Sequence, residues 1–245
     1  IDFNIMPGQW RGIAFFNGSH SNSLAYTSVI NTSYGIVADS LGSASDHGGT
    51  APLTLTACRL HNSSGSVLTA IHTDINADAC EMSDAPWGVV NLHGGIHRLN
   101  RCTLANTYIF SVVRGAILTL GHIDDKSDDG SGLPYTDALV TNSIIHGSGT
   151  SIFPADIAGS AITFNRCMFG LKGSDNENFI QCLWESDPLF AVDRANYIFD
   201  YRLLPDSPAA EAADPGLDTP TTPDTDFYGT AIGLTLGAFG IPLTE

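Results

Sequence analysis

The sequence predicts an all-β chain wound as a parallel β-helix, a solenoid of short strands over residues 1–185, closed by an irregular capping segment over 186–245. Three observations predict it. The first is a repeated slot: Cys58, Cys102, Cys167 and Cys182 each stand two residues before a large apolar side chain, Leu60, Leu104, Phe169 and Trp184, and three after another, Leu55, Leu99, Phe164 and Phe179. Side chains two apart on a strand share a face, so Cys102 and Leu104 point inward while Arg101 and Thr103 point outward. The second is spacing. With Thr27 and Ser143 accepted as small hydroxyl equivalents of the thiol, the slot recurs at intervals of 31, 44, 41, 24 and 15 residues, in the range of stacked repeats. The third is the lack of any sustained helical period, with turn signals such as Asn17-Gly18, Gly48-Gly49, Gly94-Gly95 and Asp129-Gly130 breaking the chain at short intervals.

Taken in order, apolar alternation places strands near 12–15, 24–30, 34–38, 53–60, 67–71, 88–92, 96–104, 108–120, 138–145, 161–169 and 178–184. The intervals of 44 and 41 each hold either two turns or one turn with an insertion, and the interval of 15 ends the coil near Trp184. Three stretches depart from the pattern and read as insertions: 40–52, 74–86 and 124–134. Insertions on a solenoid cluster on one face, often the binding face. From Asp187 the texture changes, and five of the twelve prolines fall between Pro205 and Pro223. This reads as an extended segment over the last coil, shielding an otherwise open sheet end.

Composition narrows the function. Charged residues are 15% of 245, and the net charge is −16, of which residues 185–245 carry −9. Nucleic acid is a poor partner for such a chain, since no basic stripe exists to release phosphate counterions. No stretch has the length of an apolar membrane span. Any signal peptide or lipid anchor is expected outside these 245 residues. An odd number of cysteines, four of them in an inward slot, argues for unpaired buried thiols rather than a disulfide framework.

The ending carries a resemblance. Asp187-Pro-Leu-Phe190, Tyr201-Arg-Leu-Leu-Pro-Asp-Ser-Pro-Ala209, Asp226-Phe-Tyr-Gly229 and Leu236-Gly-Ala-Phe-Gly240 follow one another as DPLF, YRL with SPA, a D-x-x-G turn and a G-A ending. This order resembles the C-terminal part of right-handed parallel β-helix proteins common on Bacteroidetes and related bacteria. The resemblance implies a right-handed coil and a secreted or surface-displayed location. Some β-helices of this general type are polysaccharide lyases or glycosidases, so it implies fold better than activity.

Candidate sites follow, each with its plainer reading. Arg101 and Arg166 hold the same outward position in two strings, with Arg59 one residue past the slot; together they form part of a basic column for a carboxylated sugar, or are solvated strand arginines paired with nearby acids. Asp125, Ser127 and Asp129, with Gly130, have the opening of a calcium loop but lack its closing glutamate, since Thr136 stands there. They are candidate Ca2+ ligands or an acidic loop, and no other cofactor is indicated. Asp74, Asp78 and Glu81 would share a face if 74–81 were helical, and Asp84 leads to Trp87, a candidate sugar platform. The plainer reading is an exposed insertion. Lys126 and Lys172 are the two lysines available as a lyase base, or are surface residues. His93 and His97 have helical metal-ligand spacing, but Gly94-Gly95 breaks any helix; His61 and His146 share one position after the slot and read as turn residues. No nucleophile-elbow, P-loop or dinucleotide fingerprint is present.

The expected function is therefore a surface module that binds polysaccharide or surface glycan along its outer face without catalysis, with Trp87, Arg59, Arg101 and Arg166 as its carbohydrate contacts. Two alternatives stand beside it: a calcium-assisted polysaccharide lyase or glycoside hydrolase of β-helix type, for which no catalytic residue is singled out, and a structural or adhesin spacer.

Overall fold

The computed structural model describes residues 3–121, 136–154 and 160–241. It is all-β. The chain runs through β1 (Ile13–Phe15), β2 (Asn22–Ala25), β3 (Ser28–Thr32), β4 (Ile36–Gly42), β5 (Leu53–Thr56), β6 (Arg59–Ser63), β7 (Leu68–Thr73), β8 (Ile75–Asp78) and β9 (Glu81–Ser83). It continues through β10 (Val90–His93), β11 (Gly95–Asn100), β12 (Thr103–Asn106), β13 (Leu118–Gly121), β14 (Thr136–Thr141), β15 (Ile144–Gly147), β16 (Ile152–Pro154), β17 (Ile162–Asn165), β18 (Met168–Phe169) and β19 (Phe179–Ile180). No strand pairs with its neighbour in sequence. One sheet is ordered β1-β4-β7-β10-β13-β16, a second β2-β5-β8-β11-β14-β17-β19 and a third β3-β6-β9-β12-β15-β18. Every pairing between these strands is parallel, for example Leu60↔Met82↔Leu104↔Ile145↔Phe169. The chain thus visits three sheets in rotation, an arrangement consistent with a parallel β-helix. No helix among the described residues is long and apolar enough to cross a membrane.

The slot has a structural cause. At each passage from the second sheet to the third, the residue before the slot is left-handed: Tyr26, Ala57, Ala79, Arg101, Asn142, Arg166 and Gln181 all have φ between 47° and 56°. That bend leaves a carbonyl two residues before the slot in need of a donor. Thr27, Cys58, Cys80, Cys102, Ser143, Cys167 and Cys182 each donate to it, reaching Ala25, Thr56, Asp78, Asn100, Thr141, Asn165 and Ile180. Thiol and hydroxyl interchange because the corner needs a small side chain with one hydrogen to give. All five thiols are free; burial pushes Cys80, Cys167 and Cys182 up from the ordinary thiol range, and the side-chain contact with Cys80, followed by burial, does the same for Cys58.

Cys80 is the slot member that spacing alone passed over. It halves the interval of 44 into two turns of 22 residues, with Met82 in the apolar position beside Leu60 and Leu104. Residues 74–86 are accordingly not an insertion: they supply β8 and β9. The interval of 41 is one turn, between β12 and β15.

Inward side chains form one continuous core, with Ile36, Leu55, Leu60, Met82, Leu92, Leu104 and Phe164 all buried. Phe164 stacks on Phe179 at 5.0 Å, and Phe169 on Trp184 at 4.8 Å. These rings cover the last coil. The C-terminal segment therefore does something other than cap that end: it runs back along the outer face of the third sheet. Leu203, Ala209 and Leu236 pack on Ile144 and Met168, while Tyr201 and Phe239 pack on Ala105. Thr103 does face outward, yet it is buried, and its hydroxyl accepts from Ala238 N at 2.9 Å.

Candidate functional site

Two of the candidate arginines, Arg59 and Arg101, are already committed to the covering segment. Arg101 is 2% exposed; its Nε and Nη2 bind both oxygens of Asp218 at 2.7 and 2.8 Å, and Nη1 donates to the carbonyls of Gly233 and Thr235. Arg59 donates from Nε to Glu81 at 2.9 Å and from Nη2 to Phe199 O. Arg166 does share the left-handed corner position of Arg101, but Asn142 lies on the rung between them and its amide binds the segment at Asp214. These contacts replace the expected open basic column with clamps on the segment.

The acidic stretch is likewise corrected. Asp74, Asp78, Glu81 and Asp84 do not share a helical face; all four are buried on a coil, with separate partners. Asp78 accepts from Thr221 and Thr222 at 2.8 and 3.0 Å. Asp84 accepts from Thr107 N at 2.6 Å and from the Tyr201 hydroxyl at 2.7 Å, and burial raises its pKa to about 6. Glu81, raised by the same cause, accepts from Ser83 at 2.6 Å, and Ser83 in turn meets His61 Nδ1 at 2.8 Å. His61 and His146 are strand residues in one register row, not turn residues, and each lies against an aromatic ring of the segment, Phe199 and Phe190 respectively. Serine, histidine and carboxylate meet here, but beneath the segment and with one imidazole nitrogen facing both, so no proton relay or substrate access is built.

Two open depressions lie among the described residues outside that cover. The larger, about 860 Å3, lies where the first sheet turns into the second and is lined by Asn17, Ser40, Ser43, Asp46, His72, Asp74, Ile96 and Asp137, with Gly42 and Gly95. The insertion expected at 40–52 forms one wall, a 3-10 turn over Ala44–His47. Asp74 ties that wall to the floor, one oxygen accepting from Ala44 N and the other from Ile96 N, each at 2.7 Å. Gly95 is required below it: φ is +113°, and a Cβ would stand 3.0 Å from Asp74 Oδ1. Asp46 is held below the usual carboxylate range by hydrogen bonds from Ser43, and Asp137 accepts from Ala161 N at 2.7 Å. His72 Nε2 has no hydrogen-bond partner. No Arg or Lys lines this cleft among the described residues.

The smaller depression, about 410 Å3, is formed by Pro86, Trp87, Ser111, Val112 and Arg114 where the third sheet turns into the first. Trp87 is 55% exposed, and the Arg114 guanidinium lies 5.0 Å from its ring centroid. Sequence reading reached Trp87 and missed Arg114. The pair is separated by 27 residues of chain, and only the stacking of rungs brings them together.

The remaining candidates are quickly placed. Asp125, Ser127, Asp129 and Lys126 lie outside the described residues. Lys172 is exposed on the stretch after β18. His97 faces the core on β11; it is fully buried, with neither ring nitrogen in a well-formed hydrogen bond, and burial lowers its pKa to about 3. Among the described residues no group of His, Cys, Asp or Glu is arranged to hold a metal ion. Comparison with known proteins gives no match to a family model, a curated protein or a solved structure.

Proposed function

We propose that the chain is a right-handed parallel β-helix module, secreted or displayed on the surface of a Bacteroidetes-like bacterium, that binds a glycan on its outer face without turning it over. The right hand follows from the general preference of parallel crossovers. One observation carries the binding reading: Trp87 stands half-exposed beside an open depression, with a guanidinium over its ring. An aromatic face of this kind suits the C–H faces of a sugar, and the neighbouring donors suit its hydroxyls or acids. Affinity measurements against a broad panel of polysaccharides test it. Binding without new reducing ends or unsaturated products, and its loss in Trp87→Ala, is the expected result; turnover of any bound polysaccharide overturns the non-catalytic reading.

The acidic cleft favours a second reading, a glycoside hydrolase using carboxylates of Asp46 or Asp137 as acid and base. A uronate lyase draws less support from it, because its described lining offers no cation to neutralise a uronate. Absence of binding across the panel would leave the spacer or adhesin reading.

A further inference from the structure

The Trp87–Arg114 pair is part of a longer row. Backbone hydrogen bonds set the rungs at this corner: Tyr34 N donates to Arg11 O, Trp87 N to Gly65 O, and Arg114 N to Pro86 O. Arg11, Tyr34, Gly65, Trp87 and Arg114 therefore occupy five successive rungs. Arg11, Tyr34, Trp87 and Arg114 are all exposed. The middle rung is a glycine because its neighbours leave no room; a Cβ there would meet Ser33 O at 2.5 Å and the Tyr34 ring at 3.2 Å. A notch results, with an exposed aromatic on each side. At the usual rung spacing the two rings stand about 9.5 Å apart and the two arginines about 19 Å apart.

The charge around this row is unlike that of the rest of the molecule. Residues 8–19, 33–38, 64–73, 85–93, 107–121 and 147–152, which form the corner and most of the first-sheet strands leaving it, contain Arg11 and Arg114 and no acid, the acids next in sequence being Asp39, Asp74 and Asp84. No ion pair occupies either guanidinium among the described residues. In a chain of net charge −16, a stretch of surface with two arginines and no acid of its own is a place where an anion meets less repulsion.

We infer that this flank binds an anionic polysaccharide laid along the stacking direction, its sugar rings on Tyr34 and Trp87 and its carboxylate or sulfate groups on Arg11 and Arg114. The inference rests on the glycan-binding reading and adds to it the ligand's charge, its direction and three further contact residues. Nucleic acid shares the negative charge and the affinity for aromatic faces, but its closely spaced phosphates call for more than two cations.

Titration calorimetry with polygalacturonate, dextran sulfate, uncharged dextran and oligo-dT, at low and high salt, tests it. The expected result is binding of polygalacturonate or dextran sulfate, weakened by salt, with dextran and oligo-dT at least about tenfold weaker, the equivalent of one charge-assisted hydrogen bond. A response to only one of the two polyanions assigns carboxylate or sulfate as the group read. Arg11→Ala and Arg114→Ala are each expected to lower the affinity about tenfold, and Tyr34→Ala and Trp87→Ala at least as much, whereas Arg98→Ala, an exposed arginine on β11, leaves it unchanged. Trp87-dependent binding of neutral glycans that ignores both arginine variants would overturn the anionic inference while the glycan reading stands. No binding to any polysaccharide overturns both. Tighter binding of oligo-dT, or self-association abolished by the same variants, would reassign the flank to a different partner.

Discussion

Two flanks of the same solenoid have opposite fates. On the third sheet, the C-terminal segment covers the outward side chains, and the charges beneath it have partners: Arg101 with Asp218, Arg59 with Glu81, Asp78 with the Thr219, Thr221 and Thr222 hydroxyls, Asp84 with Tyr201. At the corner leading to the first sheet, Arg11 and Arg114 make no ion pair among the described residues, and Tyr34 and Trp87 stay in solvent. Charged and aromatic residues alone thus do not mark a binding face in this molecule. What marks it is whether the chain itself has already used them.

The largest effect is expected on the covered flank. Arg101→Ala removes both hydrogen bonds to Asp218 and leaves two carbonyls without their donor. Loss of one partner from a buried pair costs about 3–5 kcal/mol. Denaturant unfolding should register it, and limited proteolysis should find residues 187–241 cut first. A loss below about 1 kcal/mol, the worth of a surface pair, would mean that the segment is held by its apolar contacts alone.

Next in size is the pH dependence, which should come entirely from the covered flank and the core. Unfolded His97 takes up a proton near 6.5, whereas folded His97 resists it until about 3. The stability owed to the neutral ring is whole above pH 6.5 and is lost as pH falls toward 3, by about 1.4 kcal/mol per unit. Asp84 acts the other way: its folded pKa of about 6 lies above its unfolded value of 3.8, so its contribution is greatest below 3.8 and is lost as pH rises through 6. Stability curves of wild type and His97→Leu between pH 6 and 4 separate the two. Burial lowers the His61 pKa to about 3 as well, so the variant should lose the His97 share of the acid-side decline and show a shallower slope than wild type; parallel curves would place the titration elsewhere.

A smaller effect tests the contact between segment and coil. Tyr201→Phe leaves Asp84 Oδ2 without its 2.7 Å donor in a buried setting, at a cost of about 1–3 kcal/mol. The loss should be greater at pH 7.5, where the carboxylate is charged, than at pH 4.5. Equal losses at both would show that the phenol acts by packing alone.

How far the sequence discloses this arrangement depends on which contacts are local. The slot is legible because alternation and spacing are properties of neighbouring residues. Cys80 escapes because the apolar residue three before it is Ala77, too small to register as a core position, although the coil accepts it at 1% exposure. Arg101 and Arg166 are rightly matched as equivalent corner positions, but nothing local to them announces that Asp218, 117 residues on, closes over the first. The covering segment was visible as a change of texture, not as a direction of travel. Trp87 is legible as an aromatic beside acids, yet those acids are taken up by the covering segment and the coil, and its true neighbour is Arg114.

The smallest effect is the sharpest test of the contrast between the flanks. Because Trp87 and Arg114 are both exposed, with the guanidinium lying over the ring, Trp87→Ala and Arg114→Ala should each shift the unfolding free energy by no more than about 0.5 kcal/mol, the range of surface substitutions away from special features. The same two changes are the ones expected to abolish or weaken ligand binding. Function and stability should therefore separate cleanly, with stability sensitive to Arg101 and indifferent to Arg114, and binding the reverse. A loss of 2 kcal/mol or more, about the largest a cation–π pair supplies, would show that the bare flank is also spent on the fold.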